Sequence, residues 1–188
     1  MKLYDGYPEY VIINGKEYAV YTDFREWIKL IDMLKDAELN AMEKATCMMY
    51  WFVEELPDNI EAAINSLAMF IRCEEKESKS TKATGSRNNA GNKPSFSYEY
   101  DADAIIAGFQ QIYGIDLLEV DYMHWWQFKF LLEGLPDETE FKRRIYYRTV
   151  NLAEIKDSKY RKELSKMKLR YALPSDEITD EDIGSAFW

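Results

Sequence analysis

Few residues of this chain have the types and spacing of a reaction centre. His124 is the single histidine, and an imidazole can act as a general base or a metal ligand. No second histidine exists to share a metal, and no serine or cysteine lies near it in sequence to form a nucleophile pair. A structural histidine is the expectation. Asp101 and Asp103, and the run Asp137, Glu138 and Glu140, hold carboxylates of the kind that bind hard cations. A calcium loop needs a longer ordered set of oxygens around a glycine turn, and that pattern is absent. These acids are read as helix N-terminal residues that cap free N–H groups and suit the helix dipole. GSRNNAGNK, residues 85–93, lacks the G-x-x-x-x-G-K-[ST] spacing of a phosphate loop, and Pro94 follows where a helix should begin. Cys47 and Cys73 have no CxxC spacing, so they read as small buried hydrophobes of a reducing compartment. The expectation is a non-enzymatic protein with no catalytic residues, no cofactor and no metal.

Bulk properties bound the remaining classes. The chain has 188 residues, 47% of them hydrophobic and 15% aromatic, which is ample for a packed core. Its net charge is −10, a poor balance for general binding to nucleic acid or anionic membrane. No apolar run reaches the roughly 18 residues that span a bilayer, and the opening MKLYDGYPEY has no apolar signal core. A cytosolic protein without membrane partners is expected. The charge is unevenly placed. Lys142–Arg170 holds eleven Lys or Arg against three acids, which leaves 13 of 24 basic and 31 of 34 acidic residues elsewhere. Such a basic run can bind nucleic acid, dock an acidic partner or the chain's own acidic tail, or face solvent. Tyr146, Tyr147, Tyr160 and Tyr171 lie in or beside it as stacking groups.

The elements follow from periodicity and punctuation. YVIINGKEYAVY, residues 10–21, places two β-rich runs around Asn14-Gly15, a type I′ hairpin signal. Asp23 with Glu26 predicts a capping box for a helix to Lys35, with Phe24, Trp27, Ile28, Ile31 and Leu34 on its apolar face. A second helix is predicted from about Asn40 to Glu55. A third follows a capping box of Asp58 and Glu61, with Ile60, Ile64, Leu67 and Ile71 as its stripe. Residues 74–96 are rich in Lys, Ser, Asn and Gly and read as a linker or loop. Beyond it, Asp101 or Asp103 opens a helix closed by Gly114. Further helices are predicted at Asp121–Glu133, from Pro136-Asp137 to about Thr149, and from an Asn151–Glu154 cap to about Tyr171. The fold class is mainly α with an N-terminal β-hairpin (α+β) and a helical bundle-like core. The segments are 1–73, a linker at 74–96, a helical region at 97–174 and an acidic tail at 175–188.

The predicted helix at 121–133, which contains MHWWQFKFLLE, cannot hide its apolar surface on one side. Advancing about 100° per residue from Tyr122, Met123, Trp126 and Phe130 cluster on one face, and Trp125, Phe128 and Leu132 on another. Narrow polar stripes separate them, His124 with Gln127 and Lys129 with Glu133. One face can serve the chain's own core; the second needs another element of the fold or another molecule. Aromatic anchors are common in protein–protein hot spots. Trp125, Trp126, Phe128 and Phe130 are therefore candidate partner-binding residues or their support. Met48 and Met49, in the adaptable run TCMMYWF, join them, as do Phe187 and Trp188 at the end of the tail.

Four stretches carry a family resemblance. YDADAIIAGFQQIYGIDL (100–117), MHWWQFKFLLEGLP (123–136), the Tyr147-Arg148 pair and RYALP (170–174) resemble the bacteriophage gene-product-fifteen family, from about Tyr10 to Pro174. The resemblance implies a phage or prophage gene in the tail-morphogenesis region, near that of the tape-measure protein. It implies a tail assembly chaperone that keeps the tape-measure protein soluble, with other tail proteins as further partners and homo-oligomers allowed. A structural virion component, such as a connector or tail-completion protein, and a nucleic-acid-binding phage regulator stand as alternatives. The family brings no catalytic residues to carry over.

Overall fold

A computed structural model describes residues 3–74 and 95–174. The expectations for 175–188, with Phe187 and Trp188, and most of those for 74–96 lie outside the described residues. The elements in chain order are β1 (Tyr10–Ile13), β2 (Lys16–Ala19), α1 (Phe24–Lys35), α2 (Ala41–Met48), α3 (Ile60–Ile71), α4 (Ala102–Tyr113), α5 (Trp125–Glu133), α6 (Glu140–Thr149) and α7 (Ser158–Arg170). The fold is mainly α with one N-terminal antiparallel hairpin. The described residues fall into two compact units: 3–74 with 120–133, and 95–119 with 134–174. Helix α5 therefore belongs with the N-terminal elements, across the boundary read at 74–96.

In the first unit the hairpin forms as its turn residues dictate. Asn14 (φ 52°) and Gly15 (φ 84°) both adopt the positive φ of a type I′ turn. The register runs from Ile13 opposite Lys16 to Tyr10 opposite Ala19. Asp23 caps α1 by accepting from the Arg25 N–H at 2.9 Å. The expected reciprocal partner, Glu26, instead pairs with Lys29 at 2.7 Å. Asn40 and Glu43 do make a full capping box on α2. That helix stops at Met48, short of the predicted Glu55, and a single 3-10 turn at Met49–Trp51 follows. The backbone leaves the helix for β pairing: the Tyr21 N–H donates to the Trp51 carbonyl at 3.1 Å and the Val53 N–H to that of Ala19 at 3.0 Å. Phe52 thereby sits opposite Val20. Asn59, one residue past the predicted cap, caps α3. Its buried face is Ala63, Leu67 and Phe70; of the predicted stripe Leu67 is in the core, Ile64 and Ile71 are half-buried and Ile60 is exposed.

The second unit is organised by ions. The carboxylate of Asp101, at the N-terminus of α4, is fully buried. It accepts the Ser97 N–H at 3.0 Å and two guanidinium bonds from Arg148 of α6, at 2.6 and 2.8 Å. Arg148 also donates to the carbonyl of Tyr171, just past α7. Arg144, one turn earlier on α6, forks onto Asp103 with two bonds of 2.7 Å and reaches Glu140 at 3.2 Å. The Tyr171 hydroxyl donates to Glu140 at 2.9 Å, and its ring stacks on Tyr147 at 5.7 Å. Gly114 closes α4 in the left-handed conformation, φ 67°, which a glycine adopts without Cβ strain. The predicted cap Asn151 starts only a 3-10 turn, Leu152–Glu154; α7 begins at Ser158 under an Asp157 cap.

Removing one member of a buried, bidentate pair leaves the other charged and unsolvated, a loss of about 3–5 kcal/mol. Arg148→Ala is expected to lower unfolding stability by about that much in a urea titration. The double replacement Asp101→Leu/Arg148→Met should recover most of the loss. A single-variant loss below about 1 kcal/mol would show the pair to be solvated in solution.

Candidate partner-binding surface

Helix α5 begins at Trp125 rather than Asp121 because the residues before it are held extended against the start of α1. The Phe24 N–H donates to the Met123 carbonyl at 2.9 Å, and the Trp125 N–H to that of Thr22 at 2.7 Å. His124 then acts as the cap of α5. Its Nδ1 accepts the Trp126 N–H at 3.0 Å, and its Nε2 lies 3.0 Å from the Pro8 carbonyl. An acceptor at Nδ1 and a carbonyl at Nε2 fix one form, the neutral ring protonated at Nε2. The Tyr7 ring stacks on the imidazole with centroids 4.9 Å apart. Burial holds the imidazole below its usual pKa, against the Pro8 bond and the Glu9 charge, which act the other way. The lone histidine is a structural group.

The tryptophans are interior too. The Trp125 indole N–H donates to the Ile71 carbonyl at 3.1 Å and that of Trp126 to the Phe70 carbonyl at 3.0 Å. Both close the C-terminal end of α3, where helical carbonyls lack intrahelical partners. Phe128 stacks on Phe24 at 4.7 Å, Trp27 on Phe70 at 4.7 Å, and Trp125 lies between Trp27 and Phe128 at 6.3 and 5.9 Å. Of the aromatic residues singled out on this helix, Trp125, Trp126 and Phe128 are buried, and Phe130 alone is exposed, at 39%. Met48 is buried, Met49 half-buried and Met42 exposed. The rings of Trp125, Trp126 and Phe128 lie beneath the surface of the first unit rather than standing out from it.

What the first unit does present is a groove of about 720 Å³ between β1 and α3. Trp126 lines it together with Tyr10, Ile12, Met69 and Phe70. The α3 wall also includes Ala62, Asn65 and Ser66, which with Met69 lie at positions i, i+3, i+4 and i+7, one side of the helix. Sequence reasoning missed this wall because it looked for large apolar residues. The sign of it was the run of short side chains at helical spacing beside a strand, YVII, that carries no charge.

The other candidates carry less chemistry. Three of the basic residues in Lys142–Arg170 are committed internally: Arg144 and Arg148 to acids, and Lys168 to the Val150 carbonyl at 3.0 Å. Among the described residues no three His, Cys, Asp or Glu side chains converge as a metal site. No described helix is long and apolar enough to cross a membrane. Burial pushes the Cys73 thiol up to about 12, opposed by Lys129 and aided by Glu133, so it is not a thiolate at neutral pH.

Two outcomes follow from α5. Trp125→Ala, at a fully buried position, should cost about 3–5 kcal/mol in a denaturant titration; an unchanged midpoint would put the side chain outside the core. For His124 the folded pKa lies below the unfolded value. The unfolded chain thus takes up the proton first, and stability falls as pH drops through about 6.5. Between pH 7 and 5 the wild-type urea midpoint should fall more steeply than that of His124→Gln, and equal slopes would contradict the assignment.

Residues 3–173 match the family described as Bacteriophage Gp15 protein. No curated protein and no solved structure matches the chain. The stretches that carried the resemblance build the interior of each unit by itself: Asp101 and Asp103 pair with Arg148 and Arg144 and the Tyr171 carbonyl accepts from Arg148 in the second, and His124 to Phe128 build the core beneath the groove in the first. With the match spanning nearly the whole chain, the protein belongs to the bacteriophage Gp15 family and is a phage structural or morphogenesis protein.

Proposed function

We propose that this protein is a tail assembly chaperone that binds the tape-measure protein and keeps it soluble until the tail tube forms. The observation that carries this reading is the open groove of the first unit, lined by Ile12, Met69, Phe70 and Trp126. A groove with apolar walls and polar groups among them is where a protein segment loses water most favourably. Phe130, Tyr7 and Tyr10, all exposed, extend the apolar surface available to a ligand. Trp125, Trp126 and Phe128 act from within, holding α3 and α5 in place. The net charge of −10 keeps a complex with an apolar ligand dispersed.

The protein is to be co-expressed with the tape-measure protein encoded beside it. The expected result is a tape-measure protein that enters the soluble fraction only with this chain present and co-purifies with it. A tape-measure protein that stays insoluble, with nothing retained, would end the chaperone reading. Mass spectrometry of purified virions then separates a chaperone, absent from the particle, from a connector or tail-completion protein, present in it.

A further inference from the structure

We propose that the groove of the first unit receives an extended, uncharged segment of the partner protein, which pairs as an added strand with the open edge of β1. This rests on the reading of the groove as the partner site and specifies what enters it.

The main chain supplies the argument. A two-residue turn makes Ile13 and Lys16 the first hydrogen-bonded pair of the hairpin. Alternation then makes Val11–Tyr18 the next, and the bond from the Val20 N–H to the Glu9 carbonyl, 3.1 Å, continues the series. The N–H and C=O groups of Tyr10 and Ile12 therefore point away from β2. Among the described residues no group bonds them, and no strand lies on that side. The far edge of β2, in contrast, is taken up at its C-terminal end by the pairing of Ala19 and Tyr21 with Trp51 and Val53.

Natural proteins blunt open strand edges with lysine, proline or a bulge. β1 reads YVII and has none of these. Its open edge borders the groove, and the opposite wall is short side chains, Ala62, Asn65 and Ser66, which leave room for a further chain. Charge matching narrows the occupant. Of the thirteen described lining residues only Glu74 is charged, and Arg72 already pairs with it at 3.0 Å. A charged segment would lose hydration there and find no counter-ion, a far larger cost than that of an uncharged segment whose peptide groups pair with the strand edge. Main-chain bonds then supply affinity, and alternate side chains fill the groove.

The test uses the full chain and the tape-measure protein, with two readouts. The first is hydrogen exchange of the Tyr10 and Ile12 amides in the co-purified complex. Both should slow at least tenfold on binding, while Val11 and Ile13, already paired, change little. The second is Ile12→Pro, which removes an outward N–H and leaves the β1–β2 ladder intact. It should melt as a folded protein and retain about tenfold less tape-measure protein, the size of one or two lost main-chain bonds. A complex in which the Tyr10 and Ile12 amides exchange as in the free protein overturns the strand-addition proposal and leaves the chaperone reading standing. Wild-type protein that retains no tape-measure protein overturns both. Slowed Tyr10 and Ile12 exchange in the protein alone, rising with its concentration, makes a second copy the occupant and overturns the proposal as well.

Discussion

Two indole N–H groups reach the last two carbonyls of α3, and the first unit depends on them. Trp125 and Trp126 come from α5, more than fifty residues further along the chain than Phe70 and Ile71. A helix C-terminus exposes carbonyls that must find donors; here the donors arrive with the largest apolar side chains available. Each tryptophan thus satisfies a polar group and fills core volume at once. The same contact fixes the direction of α5 against α3 and completes the aromatic series from Phe24 through Phe128, Trp125 and Trp27 to Phe70. The groove between β1 and α3 is in turn shaped by Trp126 and Phe70.

The second unit solves the same assembly problem with charge. Asp101 is buried beneath the start of α4 and is matched by the bidentate fork of Arg148, while Arg144 binds Asp103 and Glu140 nearer the surface. A guanidinium suits this task because its geometry fits a carboxylate and its remaining donors reach backbone carbonyls. Arg148 uses them on Tyr171 and Ser95, tying the residues on either side of the helices to one buried ion pair. The aspartates that resembled a cation site are occupied by arginines of the same chain. The basic run of α6 is accordingly less available to an external polyanion than its composition suggests.

Function in such a protein rests on what these two arrangements leave open. Trp125, Trp126 and Phe128 are taken into the interior, whereas Phe130 and several tyrosines, Tyr7 and Tyr10 among them, stay exposed. The groove of the first unit is bordered by a strand and a wall of small side chains, features without chemical prominence in a sequence. This division suits a phage structural or morphogenesis protein, in which a stable scaffold carries an open surface.

Local signals in the sequence determined much of the secondary structure. Asn14-Gly15 sets the hairpin because both positions need positive φ; Asp23, Asn40 and Gly114 end or begin helices through bonds to neighbouring residues. The family, too, was legible in short motifs. Tertiary structure alone decided where α2 and α5 give way to extended chain, since those ends are set by pairing with Ala19, Tyr21, Thr22 and Phe24 rather than by propensity. It also decided which of the two apolar faces of α5 goes inward. Both largely do, because α1 and α3 approach that helix from separate directions in sequence, and no periodicity within α5 encodes their arrival. The open edge of β1 has the same origin. An unpaired main-chain group looks like any other in a sequence, and only the placement of the other strands shows that nothing among the described residues pairs with it.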